Sequence, residues 1–240
     1  MQSPTPGTKL LSESLAEYTA NQVYGKEFGQ EKLGIALRRN LNTYLKNRDK
    51  SDVPLIQAEA NHLVYQKGSL AMFALQDYLG EETVNQILTK FLQDFSNPPP
   101  YPTAKNLVSY YRELTPAKYQ YLITDLFETV TLYNNSTQPA TVKQLPNGKY
   151  EVTLTLNTEK VRSDNNGNET PAEMNNEEID VGIYDSTGKL IYLKKRPFNA
   201  GETQLVITVD QQPSTAGIDP LNKLIDKTPD ANVINIQQAT

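Results

Sequence analysis

The strongest hydrophobic pattern in the first half of the chain is an unbroken apolar run over residues 70–75. At 3.6 residues per turn this run covers the whole circumference of a helix, and a helix that is apolar all round is buried. Gly80 follows, and glycine suits a helix end because it readily adopts the left-handed conformation found there. The pattern therefore predicts a central buried helix that ends at Gly80 and has Tyr65 at its start.

Further segments with apolar residues at helical spacing surround this helix up to residue 128. Thr103 can cap one of them, and Thr115 with Pro116 can cap and begin another. A proline-rich stretch at residues 97–102 stops the helix before it. The predicted helices, besides the central one, cover residues 8–24, 31–46, 81–95, 103–112 and 115–128.

From residue 129 the hydrophobic pattern alternates with a period of two, which is typical of strands. Asn147-Gly148 between two such segments predicts a β-hairpin. Residues 162–176 are rich in Asn, Asp, Glu and Gly and are predicted to form a mobile loop. The expected fold class is α+β, with a helical domain of about six helices at residues 1–128 and an antiparallel β-sandwich at residues 129–240.

Composition excludes several kinds of site. The net charge of −5 gives no basic footprint for nucleic acid. Without cysteine the chain has no disulfide, no thiolate zinc site and no cysteine nucleophile. The single histidine, His62, rules out a zinc site with two or three His ligands within this chain, and there is no Gly-x-Ser-x-Gly motif. No apolar run has the length of a membrane span and no signal peptide precedes residue 8, so a soluble chain is expected.

Glu13 is the first candidate for chemistry. On a helical wheel it lies in the middle of an arc formed by Ala16, Ala20, Val23 and Tyr24. An ionised carboxylate is costly to bury without a partner. Glu13 therefore either meets a cation or a metal ion, or it lies at the edge of the helix face as an ordinary carboxylate paired with a lysine.

Tyr65 is the second candidate. A neutral phenol is a hydrogen-bond donor at neutral pH and can be directed to a position where negative charge develops. The structural alternative is a half-buried core tyrosine at a helix start. His62, just before it, is read as a polar loop residue rather than as a ligand.

Two short segments together resemble a known enzyme family. Residues 7–18 read GTKLLSESLAEY, and residues 65–68 read YQKG. In this order, and with helices followed by a sandwich, they resemble the aminopeptidase N family of zinc metallopeptidases, the gluzincins. The segment AGIDPLNKLID at residues 216–226 adds a similarity to bacterial members whose peptidase portion is fused to an ABC-type permease.

The resemblance implies specific roles. Glu13 matches the third zinc ligand of that family, and Tyr65 matches the tyrosine whose hydroxyl stabilises the oxyanion of the tetrahedral intermediate. Lys67 and Gly68 are interpreted as structural, with the glycine permitting close approach of helices and the lysine pointing to solvent. The cofactor implied for the intact protein is zinc, and the implied substrate is a peptide cleaved at its N-terminus.

The chain also departs from the family pattern, because it has no H-E-x-x-H and no Gly-x-Met-Glu-Asn segment. We therefore expect a C-terminal fragment of such an enzyme, inactive alone and without stoichiometric zinc, whose partner is the missing N-terminal half of the catalytic domain. The parent would then be anchored by a permease segment in a bacterial inner membrane. The alternative is a non-catalytic binding or assembly module attached to a membrane transporter.

Overall fold

The structure, a computed structural model, describes residues 5–97 and 100–239 and has the α+β fold class that the sequence predicts. The chain forms two compact units. The sequence pattern changes at residue 128, whereas the first unit runs to Thr131 and also takes in Arg162–Glu169 and Lys223–Ile225. The second unit contains Leu132–Val161, Thr170–Asn222 and the chain from Asp226 onward.

Helices dominate the first unit, in the number that the pattern predicts. They are α1 (Leu15–Phe28), α2 (Gln30–Asn47), α3 (Gly68–Leu79), α4 (Glu81–Asp94), α5 (Ala104–Leu114) and α6 (Gln120–Ile123). Thr103 caps α5 as expected, in a reciprocal capping box with Asn106. The predicted proline-rich stop includes residues 98 and 99, which lie outside the described residues. None of the helices in the described ranges combines the length and the apolarity that a membrane crossing requires.

The central helix α3 confirms the prediction from the apolar run. Gly80 ends it with a φ of 87°, the conformation that favours glycine. Leu70, Ala71, Met72, Ala74 and Leu75 are each at most 3% exposed, so the helix is the core of the first unit.

Among the described residues of the first unit, three stretches wind as π-helical turns rather than as regular α-helix. They are Leu10–Ser14 before α1, His62–Lys67 before α3, and Thr124–Glu128 after α6. Such turns are rare and occur frequently at functional sites. The first two contain the two candidate site residues, Glu13 and Tyr65.

In the part of the chain that the structure describes, eleven strands follow the helices. They are β1 (Val130–Tyr133), β2 (Ser136–Thr137), β3 (Ala140–Gln144), β4 (Tyr150–Thr158), β5 (Lys160–Ser163), β6 (Glu169–Pro171), β7 (Glu177–Tyr184), β8 (Leu190–Phe198), β9 (Gly201–Val209), β10 (Thr215–Ile218) and β11 (Val233–Gln238). The predicted hairpin joins β3 to β4, with Gly148 at a φ of 82° in its turn.

Strand pairing is mostly antiparallel, and a parallel pairing occurs within the larger sheet. β11 pairs antiparallel with β10 through Val233 and parallel with β3 through Ile236, so the larger sheet is mixed. This strand joins the set β10–β7–β8 to the set β3–β4–β9. The alternate residues Val152, Leu154 and Leu156 of β4 are fully buried, which explains the period-two pattern.

The prediction of a loop over residues 162–176 is wrong for part of that stretch. β5 and β6 pair within it, on either side of a turn in which Asp164 Oδ1 accepts hydrogen bonds from the amides of Asn166 and Asn168. Gly167 has a φ of 78° in this turn. The polar residues that suggested a loop thus form the turn of a short hairpin, because Asp and Asn side chains bond local backbone amides.

Candidate functional site

The structure brings Glu13 and Tyr65 into direct contact. The phenol of Tyr65 donates a hydrogen bond to Glu13 Oε2 at 2.5 Å, although the two residues are 52 positions apart. Both side chains are half-buried, so the pair is accessible from one side. A carboxylate acceptor and a phenol donor therefore lie together at the surface of the first unit.

The backbone around this pair is tightly packed. The buried Ser14 donates its hydroxyl hydrogen bond to the carbonyl of Val64 at 2.6 Å, which ties the first π-helical turn to the second. A Cβ atom placed on Gly68 would lie 2.1 Å from Ser14 Oγ and 2.6 Å from Ser14 Cβ. The glycine thus permits the close approach predicted for it, and this approach brings Tyr65 to Glu13.

Gly68→Ala is expected to destabilise the protein by about 1–3 kcal/mol, the usual cost of forcing an extra methyl group into a packed core. The added Cβ can be accommodated only if the two turns move apart. Gly34→Ala is the matched control, because a Cβ there meets nothing within 4 Å and alanine favours a helix. Urea unfolding measures both variants, and equal stabilities would contradict the packing argument.

Electrostatics keep the phenol protonated. The hydrogen bond to Glu13 raises the pKa of Tyr65, and partial desolvation and the nearby charges of Glu13 and Glu17 raise it further. Each of these factors disfavours the phenolate. Tyr65 is therefore a neutral hydrogen-bond donor across the physiological pH range.

Glu13 has the phenol, not a cation, as its close partner. Besides Tyr65, the hydroxyl of Ser12 contacts it at 3.4 Å, and no lysine or arginine of the described ranges pairs with it. The arc around it is exposed rather than buried: Val23 is 62% exposed and Tyr24 38%. The Glu13 carboxylate can therefore accept further hydrogen bonds on its exposed side.

The interpretation of Lys67 as a solvent-facing residue is wrong. Its side chain is 1% exposed, and its ammonium lies 5.5 Å from the centroid of the Tyr44 ring. Burial lowers the pKa of Lys67 to about 8, against the opposing effect of Asp52. Nζ has no hydrogen-bond partner among the described residues.

His62 is half-buried in the second π-helical turn rather than in a loop. Its Nε2 lies 2.7 Å from Oδ1 of the buried Asp52, and its ring stacks near that of Tyr44. These residues form a polar cluster behind the turn that carries Tyr65. Sequence pattern gave no signal for the cluster, because its members come from α2, from the segment after α2 and from the turn itself.

The described residues do not assemble a complete metal site. No group of three or more His, Cys, Asp or Glu side chains in residues 5–97 and 100–239 could hold an ion. Zinc sites in proteins use three or four such ligands. Glu13 is thus not part of such a group in the described residues.

Comparison with known proteins adds no assignment: no protein-family model and no curated protein sequence matches this chain.

Proposed function

We propose that this chain supplies half of the zinc site of a gluzincin-type peptidase, with Glu13 as a metal ligand and Tyr65 as the donor to the oxyanion. The observation that carries the proposal is the 2.5 Å hydrogen bond between the two side chains, which come from separate π-helical turns. The two residues singled out by motif resemblance are thus neighbours in space. A chance match of two short sequence motifs gives no reason for Glu13 and Tyr65 to lie side by side.

The chemistry of the pair suits these roles. Zinc accepts carboxylate oxygen, and Glu13 has no competing lysine or arginine among the described residues. When bound, zinc would polarise the scissile carbonyl and activate water. The chain's own part is to hold Glu13 in place through Ser14 and Gly68 and to present a protonated phenol beside it.

The phenol would act on the substrate by hydrogen bonding. Negative charge develops on the carbonyl oxygen of a peptide during hydrolysis, and a preorganised donor aimed at that oxygen lowers the barrier. Tyr65 is such a donor, because neighbouring carboxylates keep it neutral. The proposed substrate is a peptide that is cleaved at its N-terminus. The intact parent protein that cleaves it is proposed to lie in a bacterial inner membrane.

A second candidate function has an observation of its own. Val23, Phe28 and Ile35 of α1 and α2 are each more than half exposed. Val23 and Phe28 lie on α1 and Ile35 on the adjacent α2, and contiguous exposed apolar patches mark interaction surfaces. A non-catalytic binding or assembly module attached to a transporter would use such a surface and would make no use of the phenol.

Zinc content separates the two functions. The intact protein is expected to bind one zinc ion, and Glu13→Ala is expected to weaken zinc binding strongly, since a lost ligand leaves too few donors for tight binding. Glu59→Ala, which removes another half-exposed carboxylate of the first unit, is the matched control. Metal analysis after dialysis gives the readout. Equal zinc content in the wild type and Glu13→Ala would reject the ligand role, and no zinc in either would favour the binding module.

A further inference from the structure

A groove with a volume of about 630 Å³ lies between α1 and α2. Glu17 and Gln66 line one part of it. Glu17 is one helical turn beyond Glu13, and Gln66 directly follows Tyr65. The groove is thus lined by residues close in sequence to Glu13 and Tyr65, although neither of these two residues lines it.

The lining of the groove has the character of a site for a short peptide. Ala20 and Ala36 present small side chains that allow close approach, and Tyr24 and Ile35 add apolar surface. The amide of Gln66 can pair with the backbone of an extended chain. Ligand sites commonly combine apolar walls with a few polar groups in a volume of this size.

The charge of the groove differs from that of the whole chain. Two cations, Lys32 and Arg39, line it, against the single carboxylate Glu17. Neither cation has an ion pair in the described residues, and both are exposed. The chain as a whole carries a net charge of −5. A local excess of positive charge on an acidic protein selects an anionic ligand over a cationic one.

The spacing of the cations fits a peptide rather than a single ion. Lys32 and Arg39 are two turns apart on one face of α2, about 10 Å along the helix axis. About three residues of an extended chain span that distance. A chain with carboxylates at that spacing can meet both cations at once, which a single small anion can do only if both side chains bend toward it.

We propose that this groove binds an acidic peptide segment, with Lys32 and Arg39 recognising its carboxylates. The proposal rests on the proposed function, because it takes the groove as the part of the peptidase site that holds the substrate beside the reacting bond. On this proposal, the preferred substrates are peptides that have acidic residues within a few positions of the bond that is cleaved.

The experiment measures binding by the present chain, without metal and without hydrolysis. Fluorescence anisotropy is recorded with three labelled hexapeptides of one design, which carry three glutamates, three glutamines or three lysines. The glutamate peptide is expected to bind most tightly and to weaken as NaCl is raised from about 50 to about 500 mM, since exposed charges are screened. Arg39→Glu is expected to weaken its binding about 5–30-fold, because an attraction becomes a repulsion.

Lys105→Glu on α5 is the matched control, because it makes the same change of charge on the same unit outside the groove. It is expected to change binding less than twofold. The proposal is overturned by equal binding of the three peptides, by tightest binding of the lysine peptide, or by wild-type binding of Arg39→Glu. Because the assay needs no zinc, such a failure leaves the zinc test of Glu13 unaffected, and the two proposals fail separately.

Discussion

The proposed role of Tyr65 predicts that Tyr65→Phe in the intact protein lowers kcat for peptide hydrolysis by about 10²–10³-fold and leaves its zinc content unchanged. Removing one donor from an oxyanion site has an effect of this size in enzymes where it has been measured. The substitution removes only the hydroxyl that donates to Glu13 Oε2, and it keeps the aromatic ring in the packing of the second π-helical turn. Steady-state kinetics on peptide substrates, with metal analysis of the same samples, gives both quantities.

The loss should lie in kcat rather than in KM. A donor that acts on the developing oxyanion stabilises the transition state more than the ground state, so its removal slows turnover without weakening substrate binding. Tyr101→Phe is the matched control, because Tyr101 is 69% exposed and lies outside the site. If Tyr65→Phe hydrolysed peptides at the wild-type rate, the proposed role of Tyr65 as the oxyanion donor would be wrong. A parallel loss of zinc would instead mean that the phenol acts through the placement of Glu13.

Periodicity predicted the long helices of the first unit. The predicted helix at residues 115–128 is instead a 3₁₀ turn, the four-residue α6 and a π-helical turn, and Thr115 does not cap it. The apolar run before Gly80 predicts a buried helix, and α3 is that helix, because only a core position satisfies a helix with no polar face. The capping role of Thr103 could also be predicted, since a threonine at a helix start accepts a hydrogen bond from a backbone amide that otherwise lacks a partner. Both signals are local in sequence.

The geometry of the candidate site could not be predicted from local sequence patterns. The motif resemblance selected Glu13 and Tyr65, but their hydrogen bond depends on the contact of Ser14 with Val64 and Gly68. That contact joins segments about fifty residues apart in the chain. Helical spacing carries no information on which turns meet, or on the π-helical winding that they adopt.

Lys67 shows why the assumption that a charged side chain points to solvent was wrong here. A lysine is almost never fully buried unless it is paired. Here the aromatic face of Tyr44 and the charge of Asp52 partly offset the cost of burial. Those two residues come from α2 and from the segment after it, so the sequence around Lys67 gave no indication of them.

In the β-strand region, a period of two is visible in the long strands but not in the short ones. β4 and β7 have enough residues to show a period of two, whereas β2 has only Ser136–Thr137 and β6 only Glu169–Pro171. The parallel pairing of β3 with β11 was also unpredictable, because these strands lie at opposite ends of the second unit in sequence. Pairing of that kind is fixed by tertiary packing rather than by local pattern.

Lys160→Met is expected to cost about 3–5 kcal/mol in the free energy of unfolding, the largest effect on stability that we predict. Lys160 on β5 and Glu177 on β7 form an ion pair in the second unit, with side chains only 1% and 4% exposed. Removing the lysine leaves the Glu177 carboxylate buried without the ammonium that forms this ion pair. Urea unfolding followed by circular dichroism measures the loss.

The double variant Lys160→Met with Glu177→Gln is expected to recover most of that stability, because the cost arises from burying the charge of Glu177 after its ammonium partner is removed and not from the lost attraction. Glutamine keeps an acceptor for the hydroxyl of Tyr133, which lies 3.3 Å from Glu177 Oε2. Lys143→Met, at an exposed position of β3, serves as the control and should stay within about 0.5 kcal/mol of the wild type. If the double variant were as unstable as Lys160→Met alone, the packing of the lysine stem rather than the buried charge of Glu177 would account for the loss.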